Sequence, residues 1–332
     1  MEINNGPYDY KMIFEDNYYI HSVNLTKIII IFKDNLIRKT IFLSTGHSFS
    51  EQSYISNFDC KISKTTNLSD LFTSTLNLFY SVDDGFNDFC LISFGSYDIL
   101  PNNHFIFLNK KFVVSTICNN FSIKELENDI LMKNGYNTGC AFVQALIDFD
   151  QDKYIFSNNK YYTFKINGSL IIISSKYASG LVVKSRENII TKLNGKKITK
   201  KESDYLFEYH FINTIKEFTD HDLFKNYNFN NLDKHYWKHY MKDNKLTIST
   251  LMGDSGTAFY RMLNNTDVEL LGINICSCHM IILKPLTSTI NNKLIIGSYY
   301  IDEIHKTSQI LPINKILNYI KKENNFIIDF IV

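Results

Sequence analysis

The chain has 332 residues, of which 45% are hydrophobic and 14% aromatic, and its 35 basic and 34 acidic residues leave a formal net charge of +1. This length is enough for a full hydrophobic core and excludes a small scaffold that needs staples. The balanced charge excludes a general attraction to nucleic acid or to an anionic membrane surface. Six cysteines without a regular spacing do not predict a disulfide framework, so we expect a reduced, intracellular setting.

No targeting segment is expected at the start of the sequence. The first twenty residues are interrupted by charges, among them Glu2, Asp9 and Glu15, which prevent the apolar core of a signal peptide. The most apolar run, at 28–32, is too short to span a bilayer. We therefore expect a soluble protein without a membrane partner, located in the cytoplasm or associated with a virion.

Short β-like runs dominate the first third of the chain. Runs at 28–32 and 40–44 flank turn-like residues and predict a β-hairpin. Further strands are expected at 89–94, 104–108, 112–115, 170–175, 180–183, 269–276, 280–283 and 294–300. Many short strands with polar turns favour a sandwich or barrel over alternating β and α units.

Helices are predicted at three points between these strands. Ser122 and Thr199 each stand three residues before a glutamate, which is the spacing of a capping box, and the first helix is expected to continue to 133. Pro312 starts a third helix with apolar residues at helical spacing. The charged, His-rich segment at about 184–245 differs most from the rest, and we interpret it as a helical insertion.

The most specific local motif is Gly253-Asp254-Ser255-Gly256, bounded by β-like segments. A serine between glycines can lie on a tight turn with its hydroxyl exposed and backbone amides directed at one point. That geometry suits a nucleophile with an adjacent oxyanion hole. The same residue types are common in ordinary turns, so the tetrapeptide alone leaves both interpretations open.

A serine nucleophile needs a base and a carboxylate that orients the base. His47 follows an apolar run and a small-residue turn that presents the imidazole, and Asp88 stands immediately before an apolar run. Alone, each has a structural alternative, a strand-end histidine and a turn aspartate; Asp70, Asp83, Asp84 and Asp98 are the other carboxylates considered. The order His47, Asp88, Ser255 is that of the chymotrypsin arrangement and differs from those of subtilisin and the α/β-hydrolases.

With these motifs the chain resembles the chymotrypsin-like (trypsin-fold) serine proteases. The segments that carry the resemblance are 43–47 (LSTGH), 88–92 (DFCLI), 253–256 (GDSG) and 270–273 (LLGI). The resemblance implies a mainly β fold with two six-stranded antiparallel β-barrels of the chymotrypsin type, helical insertions and a C-terminal helix. It implies a first barrel in 1–115 that contains His47 and Asp88, and a second in 116–332 that contains Ser255 and the insertion.

The resemblance also implies a role for each matching residue. Ser255 would attack the peptide carbonyl, His47 would carry the proton, and Asp88 would hold the imidazole. The backbone amides of Gly253 and Ser255 would form the oxyanion hole.

Four more residues follow from the same resemblance as substrate contacts. Ser249, six residues before the nucleophile, would lie at the base of the S1 pocket, where it cannot pair with Arg or Lys. The segment Ile275, Cys276 and Ser277 would lie along the substrate backbone as an added strand.

The chain departs from the family pattern beside the nucleophile. In the family Asp254 pairs with an N-terminus freed by cleavage, and no activation site of that kind is evident here. Three alternatives stay open: activation without a zymogen, another group that satisfies Asp254, or an inactive chain.

The resulting hypothesis is a serine endopeptidase that acts on protein or peptide substrates, processes proteins inside the cell or virion, and uses no cofactor or metal. The alternative is an inactive protease-fold protein with a structural or interaction role.

Two weak metal-binding patterns occur in the sequence: one consists of His235 and His239, and the other of Cys276, Cys278 and His279. The basic cluster at 192–201 lacks interleaved aromatic residues and favours a solvated loop over a nucleic-acid site. The oligomeric state, the substrate identity and the P1 preference are left open.

Overall fold

The structure is a computed structural model that describes residues 10–15, 20–31, 38–49, 57–63, 71–94, 104–107, 110–135, 137–149, 154, 156–157, 160–188, 190, 192–193, 196–225, 234–290, 293–324 and 329–330. In this part of the chain the fold is mainly β, with a large sheet. None of its helices is long and apolar enough to cross a membrane.

The strands in the described part of the chain form two main sheets and one small hairpin. The first sheet contains β1 (Tyr10–Glu15), β2 (Ile20–Ile31), β3 (Arg38–Ser44), β4 (Asn57–Ser63), β5 (Leu71–Asp83), β6 (Asp88–Phe94) and β21 (Asp329–Phe330). The second contains β7 (His104–Phe107), β8 (Lys110–Ile117), β9 (Leu131–Gly135), β10 (Gly139–Asp148), β11 (Phe156–Ser157), β12 (Tyr161–Ile166), β13 (Ser169–Ser174), β14 (Leu181–Ser185), β17 (Leu246–Ile248), β18 (Ala258–Met262), β19 (Asp267–Ile290) and β20 (Lys293–Pro312). The small hairpin is β15 (Lys192–Leu193) with β16 (Lys196–Lys197).

Four α-helices accompany the sheets within the described residues: α1 (Ile123–Leu126), α2 (Lys200–Glu217), α3 (Lys234–Lys242) and α4 (Ile313–Asn324). Single 3-10 turns lie at Gly46–Ser48 and Asp222–Phe224. Both capping boxes are confirmed, since Ser122 and Thr199 accept the amides of Glu125 and Glu202 while those carboxylates accept the cap amides.

In the first sheet the strand order is β1-β4-β5-β6-β3-β2-β21, and β1 also pairs with β2. The predicted hairpin is formed by β2 and β3, which pair antiparallel from Thr26 opposite Leu43 to Ile31 opposite Arg38. Strand β3 pairs on its other side with β6, where Ser44 lies opposite Cys90. This register brings the end of β3 close to the start of β6.

The second sheet is organised around the long antiparallel pair β19 and β20. Strand β19 also pairs with β18, β13 and β8, and β20 pairs with β14. The separate strands predicted at 269–276 and 280–283 are therefore parts of the single strand β19. Local sequence suggests a break there because 277–279 are polar or small, but pairing with β20 continues across them.

The prediction of a helix from 123 to 133 is wrong beyond its first turn. Helix α1 has four residues, and the segment Leu131–Gly135 forms β9 with every residue buried. Strand β9 lies between β10 and β18. Hydrogen bonds to two neighbouring strands outweigh the local helical pattern, because a central strand satisfies its backbone groups on both edges.

Helices α2 and α3 both lie within the segment 184–245 and cover one part of the second sheet. Phe207, Phe211 and Ile215 of α2 pack in one buried cluster with Trp237 of α3 and Ile304 of β20. The segment 184–245 contains these two helices and also the β15–β16 hairpin, and its status as an insertion stays a prediction.

Helix α4 packs against strands of both main sheets. Its residues Ile313, Ile316, Leu317 and Ile320 share a buried cluster with Leu43 and Phe89 of the first sheet and with Leu270 and Leu311 of the second. Strands β7 and β8 belong to the second sheet, and β21 pairs with β2 in the first. The chain therefore crosses between the sheets before 115 and again at its end, and the boundary at 115 stays a prediction.

The buried histidine His305 in β20 is expected to make the folded state less stable in mild acid. His305 has no exposed surface; its Nδ1 accepts the amide of Thr247 (3.2 Å), and its Nε2 donates to Glu303 (2.7 Å). Burial lowers the pKa of His305 to about 4, while Glu303 and Asp302 oppose this effect and Lys184 reinforces it. The unfolded chain therefore binds this proton at a higher pH than the folded chain, and stability is lost as pH falls below the unfolded value.

We expect unfolding by urea to show a loss of about 2 kcal/mol from this group between pH 7 and pH 5. The variant His305→Gln, which keeps a donor for Glu303, should lose correspondingly less over the same interval. An equal loss in the wild type and in the variant would contradict the assignment of this pH dependence to His305.

Candidate active site

The position of His47 follows from a close approach between β5 and the turn that follows β3. His47 lies in the 3-10 turn Gly46–Ser48, directly after β3. A Cβ on Gly46 would lie 2.0 Å from the carbonyl oxygen of Val82. Only glycine permits this contact, so Gly46 allows the turn to press against β5 and to direct His47 toward β6.

Asp88, the first residue of β6, binds His47 through both carboxylate oxygens. Its Oδ1 accepts the backbone amide of His47 at 2.8 Å, and its Oδ2 lies 2.6 Å from Nδ1 of the imidazole. Asp88 has no exposed surface, whereas the His47 side chain is one-third exposed. With Nδ1 donating to Asp88, Nε2 is left as the acceptor nitrogen.

A tyrosine that sequence analysis missed supports the same carboxylate. The hydroxyl of Tyr177 donates to Oδ2 of Asp88 at 2.8 Å, and Oδ1 of Asp83 lies 3.1 Å from the same hydroxyl. Burial, followed by the charge of Asp88, raises the pKa of Tyr177, so this hydroxyl keeps its proton and remains a donor. Nothing in the sequence singles out Tyr177 among 21 tyrosines.

Tyr177 comes from the loop between β13 and β14 of the second sheet, and three polar contacts hold that loop against the β5–β6 hairpin of the first sheet. The amide of Ala178 donates to the carbonyl of Gly85 at 3.1 Å, and the Ser179 hydroxyl donates to the carbonyl of Phe86. Lys176 pairs with Asp83 at 2.9 Å. The loop thus joins the two sheets beside Asp88.

Ser255 lies on the tight loop between β17 and β18. The amide of Asp254 donates to the carbonyl of Leu251 at 3.0 Å, and the amide of Gly256 donates to the carbonyl of Asn274 at 2.8 Å. Gly253 and Gly256 both have positive φ, +92° and +78°, a backbone conformation that residues with a Cβ rarely adopt. The glycines of the motif are therefore required by the turn.

The structure brings together the three predicted catalytic residues. The Oγ of Ser255 lies 3.3 Å from Nε2 of His47, on the side of the ring opposite Asp88. The serine comes from the second sheet, and the histidine and aspartate come from the first. This arrangement can move a proton from a serine hydroxyl to an imidazole held by a carboxylate.

Solved structures are similar to this chain at low sequence identity. One is Thermobifida fusca Protease A. Its alignment has 10% identity, covers 97% of this chain and 96% of that chain, and has a TM-score of 0.39. Rv3671c from M. tuberculosis H37Rv, solved as a serine-to-alanine mutant in an inactive form, aligns with 9% identity over 57% of this chain and 74% of that chain, with a TM-score of 0.26. No protein-family model matches the sequence, and no curated protein does. We therefore infer the roles of the site residues from the contacts within this chain.

Ser249, the predicted base of the S1 pocket, belongs to a buried hydroxyl cluster defined by Ser249, Thr250, Ser277 and Ser308. Ser308 donates to Oγ of Ser249 at 2.7 Å, and Oγ1 of Thr250 lies 2.9 Å from Ser308 and 3.0 Å from Ser277. Ser249, Thr250 and Ser308 have no exposed surface, and Ser277 is half-buried. Ser277 is thus the member of the cluster that reaches the surface.

The predicted substrate segment lies in β19 between two pairing partners. Strand β18 pairs with β19 up to Ile273, and β13 pairs with it from His279 onward. Ile275 is fully buried in the core, whereas Cys276 and Ser277 are half-buried. A role for Ile275 in substrate binding would therefore come from its backbone.

No group of three His, Cys, Asp or Glu side chains that could hold a metal occurs within the described residues. His239, one of the two histidines on α3, lies 3.5 Å from Asp243 of the following turn. His279 lies beside Thr214 and Lys306, at 2.8 and 3.1 Å.

Proposed function

We propose that this chain is a chymotrypsin-like serine endopeptidase that processes proteins inside the cell or virion. The observation that carries the proposal is the position of the His47 ring, whose two nitrogens lie 2.6 Å from Asp88 and 3.3 Å from Ser255. These three residue types in this connected order can activate a serine for nucleophilic attack, and a binding role has no need of all three.

The chemistry follows from these contacts. Oγ of Ser255 attacks the carbonyl carbon of the scissile peptide bond while its proton passes to Nε2 of His47. The imidazolium that forms keeps its Nδ1–H bond to Asp88, which stabilises the charge. The same proton then passes from Nε2 to the leaving amine, and water hydrolyses the acyl-enzyme by the reverse sequence.

The amides of Gly253 and Ser255 form the proposed oxyanion hole. Both belong to the tight loop that the glycines permit, and their predicted role is to donate to the oxygen that becomes negatively charged. One such donor is typically worth ~3 kcal/mol of the barrier.

The segment Ile275, Cys276 and Ser277 is the proposed site for the substrate backbone. Its one edge pairs with β20, and among the described strands none pairs with its other edge between Ile273 and His279. An extended peptide can add to such an edge as another strand. Ser249 remains a proposed S1 residue, and it carries no acidic group for an Arg or Lys side chain.

The pairing pattern supports the proposed two-barrel architecture. In the first sheet β1 pairs with both β2 and β4. In the second, β19 pairs with both β18 and β20. Each sheet thus contains a series of six strands in which the last pairs with the first, as a six-stranded barrel requires.

A fluorophosphonate probe tests the proposal, because it reacts with a serine activated by a neighbouring base. We expect it to label the wild type at one equivalent and to leave Ser255→Ala unlabelled. Ser115→Ala, at an exposed serine of β8, is the matched control and should label like the wild type. Absence of labelling in folded wild type would favour the inactive protease-fold alternative.

A further inference from the structure

Asp254, next to the nucleophile, is a fully buried carboxylate. Its hydrogen-bond partners come from its own loop and from the hairpin formed by β9 and β10. Its Oδ2 accepts the hydroxyl of Thr138 at 2.7 Å and the amide of Leu251 at 3.0 Å, and its Oδ1 accepts the amide of Thr138 at 3.3 Å. Asp254 has no exposed surface. Burial of a carboxylate costs free energy unless a positive charge and hydrogen bonds compensate it. A compensating cation is therefore expected near Asp254.

That charge is the ammonium group of Lys133, which is 2% exposed. Its Nζ donates to Oγ1 of Thr138 and to the carbonyl of Ser249. Since Thr138 has one hydroxyl proton and gives it to Asp254, the three groups form a chain from ammonium to hydroxyl to carboxylate. Burial lowers the pKa of Lys133, and the negative charge of Asp254 opposes that effect.

A third residue of the same hairpin holds the peptide that precedes Gly253. Nδ2 of Asn137 donates to the carbonyl of Met252 at 2.6 Å. In a trans peptide the carbonyl and the following N–H point in opposite directions, and the described chain contains no cis peptide bond. The bond from Asn137 therefore directs the amide of Gly253 away from the hairpin.

Lys133, Asn137 and Thr138 all lie on the hairpin formed by β9 and β10, which pair from Gly135 opposite Gly139. We propose that this hairpin is the built-in element that orders the oxyanion hole: Lys133 and Thr138 compensate Asp254, and Asn137 orients the Gly253 amide. The three are positioning residues, and the inference rests on the proposed endopeptidase function. In this proposal the ammonium group of Lys133 takes the place of the positive charge that a freed N-terminus supplies in the chymotrypsin-like family.

The variant Asn137→Ala tests the orientation of the Gly253 amide. We expect it to react with the fluorophosphonate probe about 100-fold more slowly than the wild type, and to lower kcat for p-nitrophenyl acetate by a similar factor with little change in KM. Asn188→Ala is the matched control, because Nδ2 of Asn188 donates to the carbonyl of Met241 at 2.7 Å in the insertion. Rates for Asn137→Ala within threefold of a reactive wild type overturn the inference and leave the proposed function intact. A folded wild type that does not react removes both.

A double-mutant cycle tests the charge compensation without a substrate. Lys133→Met is expected to lower the melting temperature strongly, because it leaves Asp254 buried without its cation. The double variant Lys133→Met with Asp254→Asn should recover most of that loss, and recovery by a double variant supports the inference even if Lys133→Met does not fold. Losses that simply add, or a double variant that fails to fold, would overturn it.

Discussion

Replacement of His47 by alanine is expected to lower kcat for peptide hydrolysis by about 10⁶. His47 is the base that Ser255 contacts, at 3.3 Å from its Nε2, and without it the hydroxyl has no acceptor for its proton. Release of a fluorophore from a mixed peptide library measures the effect. His239→Ala, at an exposed histidine of α3, should retain the wild-type rate.

A loss of less than about tenfold in His47→Ala would show that another base serves Ser255. The folded state of the variant has to be checked by thermal unfolding, because His47 also donates its backbone amide to Asp88. That bond is retained in alanine, so the variant is expected to fold.

The second large effect is expected for Asp88→Asn, which should lower kcat by about 10⁴. Oδ2 of Asp88 accepts from Nδ1 of His47 and from the Tyr177 hydroxyl. An asparagine amide in that place can donate to Nδ1, which moves the ring proton to Nε2. His47 then presents a donor to Ser255 and cannot accept its proton. Asp84→Asn, in the exposed turn before β6, is the matched control with an expected rate near that of the wild type.

Tyr177→Phe separates orientation from charge at the same carboxylate. It keeps the carboxylate charge and removes one hydrogen-bond donor, so the loss should be much smaller than in Asp88→Asn. If Asp88→Asn kept full turnover, Asp83 would be the next carboxylate to replace, since it lies 3.1 Å from the Tyr177 hydroxyl.

Predictions from local sequence succeeded where one short segment determines the geometry. The capping boxes at Ser122 and Thr199 formed because their hydrogen bonds link residues three apart. The GDSG turn needs glycine at Gly253 and Gly256 because both have positive φ. The helix expected up to 133 failed because β9 obtains its hydrogen bonds from β10 and β18, which are distant in sequence from that helix start.

The supporting residues of the candidate site show the same division. Tyr177, Lys133 and Asn137 belong to no motif, and each acts on a residue far away in the chain: on Asp88, on Ser249 and on Met252. Their side chains are common types whose significance comes from the partner they meet. No spacing in the sequence marks such a pair, because the contact exists only after the sheets have formed.

The length and balanced charge of this chain, its short strands, and the order of His47, Asp88 and Ser255 are properties that the sequence determined by itself, since composition, periodicity and motif are local. The pairing of the strands into two sheets decided the rest. This pairing places His47, which is one-third exposed, in contact with the fully buried Asp88. It also places the loop that contains Tyr177 beside Asp88, and the hairpin that contains Lys133 beside Asp254. The physical reason is that the free energy of a buried charge depends on which distant groups surround it, and only the folded chain specifies those groups.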